Sequence, residues 1–313
     1  MSHAFAEVPE TDTATDRFDD RTLLVPAVAS VEMANASVHT IPHAPIGLPV
    51  PLTHHAWYPL SPCGSGCLPQ AIGRRRLLAV ARLVWLVGTI AWCFMIACAV
   101  VVTPRLIRRR AARHACRALL RAVGIRVAID DRRPFPSSAR ALVVANHISF
   151  LDVLAVAVVN PAHFVAKSDV ASMPVISAVA RFLGVITVER ESLRRLPSAV
   201  DDAARVLERD RSVAVFPEGT TRCGRATGAF RPAFFQAAID AGVPVQPMAI
   251  RYTNADGTAD TSASFIGDDT IIDTLRRVLT ARNMTVTVRI HEMQLPGSDR
   301  RELAERCERL TVA

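Results

Sequence analysis

The sequence predicts an α/β protein: a largely parallel, helix-covered sheet, preceded by an N-terminal helical segment and a disordered N-terminal tail. Three observations carry that expectation. Seven short apolar runs recur between residues 126 and 290. Helical patterns lie between several of them, which is how parallel strands are joined. Upstream, the 21 residues of Leu83–Thr103 carry no charge.

Of the 313 residues, 1–73 read as the tail. They hold seven acidic and two basic side chains, a net of −5, and from Ser37 to Gly73 there is no Asp, Glu, Lys or Arg. Neither a period of 2 nor one of 3.6 is sustained, so the segment cannot bury enough apolar surface to offset its ordering entropy. Cys63 and Cys67, with His54 and His55 upstream, are residue types that can ligate a metal. A flexible linker carrying two thiols is the simpler reading, and no metal is expected.

Residues 74–113 read as a membrane anchor. Arg74, Arg75, Arg76 and Arg82 precede the uncharged run, and Arg105, Arg108, Arg109, Arg110 and Arg113 follow it. As a helix the run would cover about 30 Å at about 1.5 Å per residue, the thickness of a bilayer's hydrocarbon. Its place behind a long acidic tail is not that of a cleavable signal peptide. The even basic flanks suit a spanning helix of either orientation, or a re-entrant hairpin turning near Gly88 and Thr89. Beyond it, arginines interleaved with Leu106, Ile107, Leu119 and Leu120 suit an anionic membrane surface.

Past the tail the charge balance reverses to 35 bases against 22 acids, a net of +13. A body this basic suits phospholipid or nucleic acid. A hydrophobic content of 50% and a mean hydropathy of +0.24 favour lipid. With two tyrosines and no aromatic–basic stripe, no nucleic acid is expected. The seven cysteines are irregularly spaced and describe neither a disulfide framework nor a four-ligand zinc site. The chain has no P-loop and no G-x-S-x-G elbow.

Residues 114–313 form the predicted globular domain. Strands are read at Arg126–Ile129, Ala141–Ala145, Phe164–Ala166, Val185–Val188, Ser212–Phe216, Val245–Ile250 and Thr285–Ile290, and helices at Leu196–Arg209 and Phe230–Ala241. Directly after the second strand comes Asn146-His147-Ile148-Ser149-Phe150-Leu151-Asp152. A carboxylate five residues after a histidine can accept from one ring nitrogen, fix the tautomer, and leave the other nitrogen to take a proton from a hydroxyl. After the fifth strand comes Phe216-Pro217-Glu218-Gly219-Thr220-Thr221-Arg222. Pro217 and Gly219 predict a tight turn, and Gly219 would let a substrate approach the backbone closely. Cys223 reads as a small buried residue.

Together these segments resemble the glycerolipid acyltransferase family, in particular its bacterial 1-acylglycerol-3-phosphate acyltransferases. Four blocks carry the resemblance in order: Asn146 to Asp152, Gly184 to Arg190, Phe216 to Arg222, and Val243-Pro244-Val245-Gln246-Pro247. The likeness covers roughly residues 115–295. It implies that His147 deprotonates the acceptor hydroxyl, which attacks an acyl thioester directly, and that Asp152 orients His147. Arg190, Glu218, Gly219, Thr220 and Arg222 would bind the acceptor's phosphate and glycerol, with the Gly219 N–H also serving the oxyanion. The implied co-substrate is acyl-CoA or acyl-carrier protein, with no further cofactor. The acceptor is lysophosphatidate or another lyso-lipid such as lyso-ornithine lipid, at a bacterial inner membrane with the domain on the cytoplasmic side. An inactive lipid-binding protein is the contrasting reading.

Composition adds one residue to this set. Lys167 is the only lysine among 37 basic residues. A chain that uses arginine everywhere else keeps a lysine where a compact ammonium is needed, and we expect Lys167 to meet the acceptor phosphate.

Overall fold

The computed structural model describes residues 61–69, 75–135, 139–167, 185–188 and 193–312. All of them fall within one compact unit, Pro51–Ala313. Its centre is a seven-stranded sheet of β1 (Ile125–Asp131), β2 (Leu142–Ala145), β3 (His163–Lys167), β4 (Ile186–Val188), β5 (Val213–Val215), β6 (Val245–Thr253) and β7 (Met284–Ile290), in the order β1-β7-β6-β2-β5-β3-β4. Every predicted strand is present. The sheet is mixed: β6, β2, β5, β3 and β4 are mutually parallel, while β7 meets β6 antiparallel and carries a parallel β1 beside it. Apolar runs carry no direction, so the reversal of β1 and β7 was not readable from them.

Helices cover both faces. The described helices are α1 (Arg76–Val100), α2 (Arg105–Ala122), α3 (Asp152–Val159), α4 (Leu196–Glu208), α5 (Phe235–Asp240), α6 (Ile271–Thr280) and α7 (Arg300–Val312). All four residues of β2 are buried. Val143 and Ala145 join a core with Leu120, Ala155 and Val278, whereas Leu142 and Val144 join one with Ala203, Phe235 and Leu303. That division is the period of 2 of a strand covered on both sides, and it explains why β2 reads as an unbroken apolar run.

α1 runs unbroken through Gly88 and Thr89, where the Thr89 hydroxyl donates to Trp85 O at 2.8 Å. The re-entrant alternative put a turn there; the chain reverses instead at Thr103 and Pro104, and the proline's fixed φ of −53° opens α2. The helical hairpin therefore runs from Arg76 to Ala122. Val84, Trp85, Phe94 and Met95 stand exposed along α1. At its foot, Arg82 is driven into the domain: Nη1 donates to the carbonyls of Leu279 (2.9 Å) and Ala281 (2.6 Å), capping the end of α6. Gly124 makes room for it, since a Cβ there would lie 2.2 Å from the Arg82 Cζ.

Residues 61–69, counted with the tail by composition, hold the 3₁₀ turn Ser65–Cys67. Residues 1–60 and 70–74 lie outside the described set.

Candidate active site

β2 and β5 are parallel neighbours with Val144 opposite Val215, so both chains leave the sheet at the same edge. Where β2 stops, the Asn146 amide takes over its pairing with β6: Nδ2 donates to Ile250 O (3.0 Å) and Oδ1 accepts from the Ile250 N–H (2.7 Å). The last turn of strand is thus pinned while the chain swings out to His147.

Asp152 begins α3 and is fully buried. Its Oδ2 accepts from His147 Nδ1 at 3.0 Å and from the N–H groups of Ile148 (2.6 Å) and Ser149 (2.8 Å). Its Oδ1 accepts from the Tyr252 hydroxyl at 2.8 Å. Two backbone N–H groups and the Tyr252 hydroxyl already donate to this carboxylate; with Nδ1 as the fourth donor, Nε2 is the acceptor nitrogen. Among the described residues Nε2 has no partner, and the His147 side chain is 18% exposed. The ring stacks on Phe216, centroids 4.0 Å apart and 9° from parallel, which fixes its plane. The chemistry available is proton abstraction from a hydroxyl presented to Nε2.

The segment after β5 holds that histidine by its backbone. Phe216 to Gly219 is a tight turn: the Gly219 N–H donates to Phe216 O at 3.1 Å, and Gly219 sits at φ +73°. This N–H is therefore engaged in the turn. The Glu218 carboxylate is 4% exposed and likewise turned inward. Its Oε1 accepts from the His147 N–H (3.2 Å) and its Oε2 from the Gly228 N–H (3.1 Å). In return the Arg222 N–H donates to His147 O at 2.8 Å. Both backbone groups of His147 are thus bound by the turn that follows β5. Burial raises the Glu218 carboxyl to about 7; the two N–H donors and Arg222 oppose the rise and Asp152 adds to it.

Arg222 Nε lies 3.0 Å from Glu218 Oε2, an ion contact without hydrogen-bond alignment. The guanidinium rests over Gly228, where a Cβ would come within 2.4 Å of Nε. The side chain is 23% exposed, so it reaches the surface while anchored from behind.

The structure thus gathers His147, Asp152, Glu218, Gly219 and Arg222. Thr220 is half-buried in the same loop. Lys167 ends β3, which is parallel to β5 and stops at the same sheet edge. Arg190 lies outside the described residues, two positions beyond the end of β4. Sequence reasoning missed Tyr252, Gly228 and the clamp made by Asn146. Tyr252 is 100 residues from Asp152, and only the pairing of β6 with β2 brings them together.

An acyltransferase family model matches residues 126–251, from β1 into β6, and takes in His147, Asp152, Glu218 and Arg222. A 1-acyl-sn-glycerol-3-phosphate acyltransferase of Neisseria meningitidis is 34% identical over 184 residues, covering 58% of this chain and 70% of the relative. This chain belongs to the glycerolipid acyltransferase family. A lyso-ornithine lipid O-acyltransferase of Pseudomonas aeruginosa is 33% identical to this acyltransferase over 210 residues, 66% of the chain and 78% of the relative. The crystal structure of the LPA acyltransferase PlsC from Thermotoga maritima superposes with a TM-score of 0.53 at 21% identity, covering 75% of this acyltransferase and 92% of that chain. The helix-covered, mostly parallel sheet is shared between them.

Proposed function

We propose that this acyltransferase moves a fatty acyl group from a thioester, acyl-CoA or acyl-carrier protein, to the free hydroxyl of lysophosphatidate, giving phosphatidate. The observation that carries this reading is the His147 ring, held at Nδ1 by a four-donor carboxylate and open at Nε2. Nε2 takes the hydroxyl proton as the oxygen attacks the thioester carbonyl. The tetrahedral intermediate then expels the thiolate, which recovers the proton from the imidazolium. The acceptor phosphate meets Arg222, with Lys167, at the end of β3, and Arg190 as further cationic partners; Glu218 and Gly219 serve by shaping that loop. No cofactor beyond the thioester is needed. An inert lipid-binding role would have no use for so fully supplied a carboxylate behind a histidine.

The α1–α2 hairpin is the proposed membrane contact. The foot of α1 and the end of α2 meet where Arg82 covers Gly124. A chain that returns to its starting side favours the re-entrant form over a span, with the exposed face of α1 in lipid and the arginines of α2 at anionic headgroups. Thioester donors place the domain on the cytoplasmic side of the inner membrane.

The name of the Pseudomonas relative supports a second reading, the same chemistry on lyso-ornithine lipid. Membranes containing the protein, a panel of lyso-lipids and thiol release from acyl-CoA decide between them. Turnover on lysophosphatidate above all others supports the first reading, and a preference for lyso-ornithine lipid replaces it with the second. No thiol release with any acceptor, from either acyl-CoA or acyl-carrier protein, refutes both.

A further inference from the structure

One residue beyond the Arg222 contact, thiols from two distant segments converge. Cys63 lies two residues before the 3₁₀ turn Ser65–Cys67 and Cys67 ends it, while Cys223 directly follows the loop that clamps His147. Their three Sγ atoms lie within 4.8 Å of one another. Cys223 is buried, Cys63 and Cys67 are half-buried, and all three are free. The Cys223 N–H donates to Cys63 Sγ at 3.3 Å. Gly224, at φ +80°, bends the chain there; a Cβ on it would lie 2.9 Å from Ile148 Cδ1.

We propose that Cys63, Cys67 and Cys223 are three ligands of a thiophilic divalent ion of the zinc type, which fastens residues 61–69 to the catalytic loop. Cys-x3-Cys falls within the ligand spacing common in zinc sites, and the third thiol comes from across the chain, as ligand sets usually do. Thiolates around zinc sit about 3.8 Å apart, given zinc–sulfur bonds of about 2.3 Å. The observed cluster needs only a small contraction to reach that geometry. The Cys223 N–H aimed at Cys63 Sγ is the kind of backbone donor that orients a metal-ligating sulfur. A disulfide would consume two of the thiols and strand the third. Loading involves no redox step: three S–H bonds give up their protons to solvent as three metal–sulfur bonds form, and the fourth position is left to water or another small ligand. The site carries no step of the acyl transfer. Its effect on the chemistry runs through Arg222, whose N–H is bound to His147 O.

The test uses the full chain purified in detergent under reducing conditions from zinc-supplemented cultures. Bound metal is measured by mass spectrometry, and cobalt(II) replaces zinc for optical spectra. The parent and Cys98→Ser, a control on the exposed side of α1, should carry one ion per chain, and the cobalt form should show thiolate charge-transfer bands. Cys63→Ser, Cys67→Ser and Cys223→Ser should each lower occupancy about tenfold or more. Cys67→His, which keeps a zinc ligand, should restore it, separating loss of a ligand from loss of fold. The proposal is overturned if the parent stays metal-free after titration with excess zinc chloride. Full occupancy in Cys67→Ser, or alkylation mapping that finds a disulfide among the three, overturns it as well.

Discussion

Tyr252→Phe removes one oxygen atom and tests whether the carboxylate behind His147 is held for catalysis. The phenol is 2% exposed and its hydroxyl donates to Asp152 Oδ1 at 2.8 Å. Burial, and then the charge of Asp152, raises the phenol well above its ordinary range, so it is a neutral donor at every working pH. A hydrogen bond to a charged group contributes about 1.5–3 kcal/mol. For a domain of this size that corresponds to a fall in Tm of about 4–10 °C. If the whole loss were felt in the transition state, kcat would fall about 10- to 100-fold, since about 1.4 kcal/mol is a factor of ten. Oδ2 keeps the Ile148 and Ser149 N–H groups at 2.6 and 2.8 Å, so the lower end is expected. The prediction is therefore a kcat about tenfold lower, a KM for the lyso-lipid within about twofold of the parent, and no change in that ratio across neutral pH. The assay is thiol release at saturating acceptor, alongside thermal melting in the same detergent. If Tm falls while kcat stays within about twofold, Tyr252 is packing and the positioning argument fails.

Further outcomes follow from the same geometry. His147→Ala should lower acyl transfer by at least about two orders of magnitude with the melting curve retained, and Asp152→Asn should also impair it severely by favouring the wrong tautomer; near-normal turnover of either would refute the base assignment. Gly228→Ala should displace the Arg222 guanidinium, which lies 2.4 Å from the added carbon at Nε, and raise the KM of a phosphate-bearing acceptor several-fold with little change in kcat. Glu218 holds its proton to about 7 in the folded chain against an ordinary 4.5, so the native state binds the extra proton between those values. Stability should therefore fall as pH rises through that window, and Glu218→Gln should flatten that part of a denaturation-versus-pH curve. Lys167→Arg should raise the KM of a phosphate-bearing acceptor several-fold and leave the thioester's KM unchanged; identical kinetics for both substrates would remove Lys167 from the site.

The strands and the two reactive loops were legible because burial on both faces writes a contiguous apolar run, and because punctuating residues such as Pro217 and Gly219 stand at its end. What was hidden is pairing. Tyr252 reads as one more apolar-run residue until β6 is laid beside β2. Cys63 and Cys223 are 160 residues apart, and neither half of the cluster announces the other. The resemblance places Glu218 with the acceptor's ligands; that its carboxylate is buried with two N–H partners could be seen only in the structure. α6 and α7 were unread because their polar faces dilute the apolar signal, although Thr270 and Asp273 form a capping box at the start of α6.

The double grip of the post-β5 turn on His147 bears on how this enzyme could change its acceptor. Glu218 and the Arg222 backbone hold the base, and the Arg222 side chain lines the acceptor's edge. Remodelling that loop for a new headgroup would drag the proton-accepting nitrogen with it. Swapping residues there should trade selectivity against turnover almost one for one. Changes at the ends of β3 and β4, strands that run parallel to β5 towards the same sheet edge, are where a new headgroup preference could arise with the catalytic machinery undisturbed.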